Sequence, residues 1–217
     1  MSIKSIFYKQ REKFEKQADK RDLEFNFPDN ILEYKDISYS NDGLKEHRLD
    51  IFRPKDMENA ILPVIVNIHG GGLIMGNKEF NRFFCARLSS MGFLVFSVEY
   101  RLVPDCMIYE QLSDITLAMN FISDNIALYN GDTEHIYAVG DSGGACLLTY
   151  HTAVDNCENV ANVANVEPSH LKINALGLIS GMFYTTRFDQ IGLFLPKYVF
   201  GKNYKKGNFA KYVNPEH

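Results

Sequence analysis

The apolar positions of this chain change period along its length. From Ser2 to about Asp22, Ile3, Ile6, Phe7 and Phe14 fall at helical spacing among many charges, which predicts a surface helix with one narrow apolar face. Between Glu33 and Pro54 the pattern is that of a hairpin. Tyr34, Ile37 and Tyr39 lead into Asn41-Asp42-Gly43, and Leu49, Ile51 and Phe52 follow. Asp-Gly supplies the turn, because positive φ is cheap there.

Beyond the hairpin come short continuous apolar runs: Pro63–Ile68, Phe93–Val98, His135–Val139 and Leu171–Ile179. Runs of this length, rich in Val and Ile, suit strands buried on both faces. Helical stretches lie between them, at Phe80–Met91, Tyr109–Ala127 and Gly143–Val154. In the second, Leu112, Ile115, Met119 and Ile122 recur at spacings of three and four. Strands alternating with helices predict an α/β fold, a mostly parallel sheet with right-handed crossovers and an antiparallel hairpin before it. Asp155–Pro168 is polar and rich in Asn, and reads as a surface loop. Gly181–Tyr212 is aromatic, with Phe183, Tyr184, Phe188, Phe194, Tyr198 and Phe200.

Composition narrows the class. At 217 residues, 46% hydrophobic and 23% charged, the chain suits one globular domain with a real core. The net charge of −4 leaves no basic surplus to neutralise phosphates, so nucleic acid is not an expected partner. The N-terminus lacks the apolar stretch of a secretory signal, and no run is long enough to span a bilayer. Cys85, Cys106, Cys146 and Cys157 lack CxxC spacing and read as thiols of a reducing compartment. A cytoplasmic protein without a membrane partner is the expectation. Oligomeric state leaves no signal. His and Asp residues are scattered without the paired spacing of a metal site, and neither metal nor cofactor is expected.

The sharpest motif is Gly140-Asp141-Ser142-Gly143-Gly144, a G-x-S-x-G between a predicted strand and a predicted helix. A serine on such a tight turn is lifted off the end of the sheet and exposed to substrate. The helix behind it brings unpaired N–H groups and a positive dipole end. His69-Gly70-Gly71-Gly72 follows the strand Pro63–Ile68. A glycine run lets backbone N–H groups converge on a tetrahedral oxyanion, with the N–H of Gly143 as their partner. A phosphate-binding loop fits less well, since neither the P-loop Lys-Ser/Thr nor the G-x-G-x-x-G spacing is present.

These two motifs, with Glu99-Tyr100-Arg101-Leu102-Val103-Pro104 between them, resemble the hormone-sensitive-lipase-like carboxylesterases of the α/β-hydrolase fold. Glu99, Val103 and Asp105 depart mildly from that family's usual Asp-Tyr-Arg-Leu-Ala-Pro-Glu, and Gly143 stands where Ala is common. The resemblance runs from about Glu33 to the end of the chain. It implies a three-layer sandwich, with Ser142 as nucleophile toward short- to medium-chain acyl esters. It further implies Gly71, Gly72 and Gly143 as oxyanion donors, and His69 and Gly70 as bracing for the glycine loop. Residues 1–30 and 181–212 would be lid segments of a single domain. The family draws its triad Asp and His from loops after two further strands, so the chain resembles one whose last strands are missing, and it is expected to be nearly inactive as given. Asp189 with His217 is the one late pair in the family's order. A ligand-binding protein or degenerate hydrolase on the same scaffold, and an amidase or peptidase, share these motifs.

Overall fold

The computed structural model describes residues 3–185 and 195–214. The surface helix forms as α1 (Ile3–Asp22). Its apolar face is narrower than the spacing suggests. Phe7 is buried and Phe14 half-buried, but Ile6 stays exposed. The hairpin follows as β1 (Ile31–Ser38) and β2 (Arg48–Pro54), paired antiparallel with a bulge between Tyr34 and Ile37. In the connection, Gly43 takes a φ of 79°, and the Asp42 carboxylate accepts the Leu44 N–H at 2.9 Å.

The parallel part comprises β3 (Leu62–Ile68), β4 (Leu94–Val98), β5 (Gly131–Asp141) and β6 (Ala175–Ile179). The sheet order is β1-β2-β4-β3-β5-β6, with β2 antiparallel to β4 and every later pair parallel. Helices α2 (Arg82–Ser90), α3 (Ile108–Asn125) and α4 (Gly143–Asn156) are the crossovers. Successive strand residues face opposite layers. Val64, Val66 and Ile68 join the cluster that holds Leu112 and Ile115 of α3 and Leu147 and Leu148 of α4. Ile65 and Val95 join the smaller cluster with Phe52 and with Cys85 and Ala86 of α2. Helices on both faces of a mostly parallel sheet are the predicted three-layer sandwich.

Two readings need correction. Asp155–Pro168 is not simply a loop, because it holds α5 (Glu158–Ala164), ended by Asn165 at a φ of 54°. Val160, Ala161 and Ala164 are buried along one side of it, but seven residues show too little of a helical period to be read. The run Leu171–Ile179 pairs only from Ala175, and the Asn174 side chain accepts the Ile136 N–H within β5 at 2.8 Å. In the aromatic segment, α6 (Pro196–Val199) packs with Val199 and Phe200 buried. Phe188, Asp189, Phe194 and His217 lie outside the described residues. No described helix is long and apolar enough to cross a membrane.

Candidate active site

Ser142 closes β5 and opens α4 at a φ of 48° and ψ of −109°, a conformation costly for a residue with a side chain. The surroundings hold it there. Its N–H donates to the Ile179 carbonyl at 2.9 Å, and its own carbonyl accepts from Cys146 N at 3.2 Å and Met182 N at 3.0 Å. Ser142 is half-buried, at the positive end of a 14-residue helix. Gly144 is required by close approach, since a Cβ there would run into the Ile68 carbonyl oxygen.

The glycine loop meets this turn. Gly71, Gly72 and Leu73 have φ of 117°, 62° and 69°. This stretch of left-handed backbone is cheap for the glycines and strained for buried Leu73. A Cβ on Gly143 would stand 2.9 Å from Leu73 N and 3.0 Å from Gly72 N. The loop and the first turn of α4 therefore touch backbone to backbone.

Polar contacts fix the loop from below. Asp141 Oδ1 accepts the Gly70 N–H at 2.9 Å and Asn81 Nδ2 at 2.9 Å. Asn81 continues to Asn67 Oδ1 at 3.2 Å, and Asn67 to Ser97 Oγ at 3.2 Å. His69 is fully buried and stacks on Tyr100 at 4.3 Å between ring centroids. Tyr100 donates its hydroxyl to the His69 carbonyl at 2.7 Å. Burial raises the Tyr100 hydroxyl well above its ordinary range, so it remains a donor. The Leu73 carbonyl accepts from Val103 N at 3.0 Å and Gln111 Nε2 at 3.0 Å. Arg101 forks onto buried Asp114, and both their hydrogen-bonded oxygens lie within 3.2 Å of the guanidinium. A half-open pocket of about 230 Å³ is lined by Asn67, Asn81, Phe84, Val139, Gly140, Asp141 and Ile179.

Reading the sequence assigned no role to Asn67, Asn81, Gln111 or Arg11. Two of them did leave a signal. Asn67 interrupts a run otherwise buried on both faces, and Gln111 stands among the apolar positions of α3.

No described histidine bonds to Ser142. His47 sits between Asp42 (2.6 Å) and Asp114 (3.0 Å), and His69 lies 3.5 Å from Glu99. His135 faces Asp132 at 2.8 Å, and His170 faces Asp124 at 3.0 Å. His151 lies between Thr116 (3.3 Å) and Asp155 (3.4 Å). Among the described residues, no cluster of His, Cys, Asp and Glu could hold a metal ion. Buried Cys85 and Cys146 have their thiols pushed up to about 12 by burial and are poor nucleophiles.

Comparison with known proteins gives this geometry relatives. The chain is similar to esterase B of Lactobacillus rhamnosis, with a TM-score of 0.86 at 20% identity over 99% of this chain and 71% of that one. That likeness shows the α/β-hydrolase fold. It is 32% identical over 160 residues to the 3-O-acetylpapaveroxine carboxylesterase CXE1 of Papaver somniferum, covering 65% of this chain and 47% of that one. It is 30% identical over 99 residues to the isoprenylcysteine alpha-carbonyl methylesterase ICME of Arabidopsis thaliana, covering 46% of this chain and 23% of that one. The chain thus spans less than half the length of these two curated relatives. The BD-FAE family model matches residues 49–191, a stretch that holds the glycine loop, the Tyr100–Pro104 segment and the Ser142 turn, and the chain belongs to the BD-FAE family.

Proposed function

We propose that this chain carries the nucleophile and oxyanion half of a serine carboxylesterase site. The observation that supports it best is Ser142, held at positive φ between β5 and α4 with Gly143 packed against the glycine loop. In this reading Ser142 Oγ attacks the ester carbonyl carbon while its proton passes to a general base. The carbonyl electron pair becomes an oxyanion facing the N–H groups of Gly71, Gly72 and Gly143. Collapse expels the alcohol, which takes up the proton, and water releases the acyl group by the same two steps. Each donor contributes about 3 kcal/mol to the transition state. His69 and Gly70 brace the loop. No metal or cofactor enters, and the substrate is a small ester of short or medium acyl chain. The poppy carboxylesterase and the esterase B likeness support the ester class.

The proton-transfer step has no partner among the five described histidines, each of which is engaged elsewhere. In a serine protease, loss of the catalytic histidine leaves only about 10³–10⁴ over water. The expectation is a weak residual hydrolysis of p-nitrophenyl butyrate that disappears in Ser142→Ala. Ordinary enzyme rates from the 217-residue chain would contradict the expected near-inactivity. Cleavage of the matching p-nitroanilide in preference to the ester would favour the amidase reading.

The same engagement of the histidines favours a second reading, a binding protein on a hydrolase scaffold. It expects tight, reversible binding of a small ligand and no covalent chemistry at Ser142.

A further inference from the structure

The N-terminal helix reaches the glycine loop through one side chain. Arg11 of α1 donates from Nε to the Ile74 carbonyl at 3.1 Å and from Nη2 to the Val103 carbonyl at 3.2 Å. Its Nη1 lies 3.3 Å from Asp105, whose other oxygen accepts the Tyr8 hydroxyl at 2.5 Å. One planar fork therefore spans the loop that begins at Gly70 and the loop that ends the Tyr100–Pro104 segment. Those two loops are already joined at Leu73, which accepts from Val103. Ile74 lies one residue beyond Leu73, whose N–H is next to Gly143.

Other contacts of α1 fall away from this stretch. Of its described side chains only Phe7 is buried, against Tyr198 with centroids at 5.2 Å. Phe14 meets Phe80 at 4.7 Å, and Arg21 donates to the Phe80 carbonyl at 2.8 Å. These contacts grip the far side of the loop, beyond Gly76. Among these α1 contacts, Arg11's is the one that reaches the residue directly after the strained stretch, at Ile74. A guanidinium can do this because its donors diverge in one plane, whereas an ammonium is a point charge.

We infer that Arg11 is a positioning residue for the oxyanion loop, so that docking of α1 sets the direction of the donors that face Ser142. The inference rests on the esterase reading for its chemical consequence, though not for its geometry. It makes the N-terminal helix part of the site rather than only a cover over it.

Two measurements on the 217-residue chain test this. The first is the rate at which a p-nitrophenyl alkylphosphonate labels Ser142, Oγ displacing p-nitrophenolate from phosphorus while negative charge builds on the phosphoryl oxygen, followed by intact mass with Ser142→Ala as control. The second is amide hydrogen exchange over residues 71–76. Arg11→Met is expected to slow labelling about ten-fold, a fraction of the 10²–10³ that loss of a whole donor costs. It should also speed exchange at Ile74 and Met75, whose N–H groups bond to the Gly71 carbonyl. Arg11→Lys, which keeps the charge and loses the fork, should recover only part of either effect, while far-UV circular dichroism stays native in both variants. Unchanged exchange over 71–76 in Arg11→Met overturns the inference, whatever the labelling shows. Full rescue of both effects by Arg11→Lys also overturns it, since charge alone would then suffice. If even the wild type is unlabelled at Ser142, the esterase reading fails. Faster exchange in Arg11→Met would then still support the positioning role.

Discussion

The N–H of Ser142 donates to the carbonyl of Ile179 at 2.9 Å, so the strained turn of the candidate nucleophile is closed by the last residue of strand β6. That strand is the edge of the sheet among the described residues. It is apolar on both faces, with Leu178 41% and Ile179 46% exposed. The same strand thus shapes the site and presents an uncharged edge, a template for pairing with another chain.

Self-association is the expected consequence. The wild-type chain should show a concentration-dependent increase in light scattering and elute early in sizing. Ile179→Lys should reduce both, because it adds a charge on the edge and leaves the carbonyl that Ser142 uses. A wild-type chain that runs as a clean monomer at high concentration would count against this.

Asp141 should matter for stability. It joins the glycine loop to the residue that precedes α2, through Gly70 N and Asn81 Nδ2. Hydrogen bonds to a charged group are each worth about 1.5–3 kcal/mol. Asp141→Ala should therefore lower the unfolding free energy by roughly that amount or more, read from the urea midpoint at constant slope. A change below about 0.5 kcal/mol, the range of an ordinary surface substitution, would show that the joint is idle.

His151 predicts a pH dependence. It is buried on α4, facing Asp155 and Thr116. Burial lowers its pKa below 6.5, and the Asp155 charge offsets this in part. The unfolded chain then binds a proton more readily than the folded one. Stability from this residue is fully present above about pH 6.5 and is lost as pH falls from there through the folded value. The slope in that window is at most about 1.4 kcal/mol per pH unit. Comparing wild type with His151→Gln by urea unfolding between pH 8 and 5 isolates the effect. The gap in stability between the two should narrow as pH falls. A gap that widens would reverse the sign of the argument.

Much of this was legible in the sequence because buried strands and amphipathic helices leave different periods. The β3–β5 runs, α3 and α4 fall where those periods put them, and β6 takes only the second half of its run. The two glycine motifs were legible for a related reason, since close approach at Gly144 and positive φ at Gly71 and Gly72 exclude most other residues. Helix α5 was hidden by its brevity. The supports at Asn81 and Arg11 were hidden because they act across long separations: Asn81 meets Asp141 sixty residues away, and Arg11 meets Val103 ninety-two away. No local pattern encodes such a pairing. The general base was not identified from the sequence, and no described histidine occupies that role.

The most direct test is to trap the acyl group. p-Nitrophenolate leaves without being protonated, whereas deacylation needs a base to activate water, so without that base deacylation is the slower step and an acyl-enzyme should accumulate. The chain would be incubated with p-nitrophenyl butyrate, quenched in acid, digested and mapped by peptide mass spectrometry. A butyryl group confined to Ser142 and absent in Ser142→Ala is the expected result. Butyrylation spread over surface lysines, equal in wild type and Ser142→Ala, would show that Ser142 is no nucleophile.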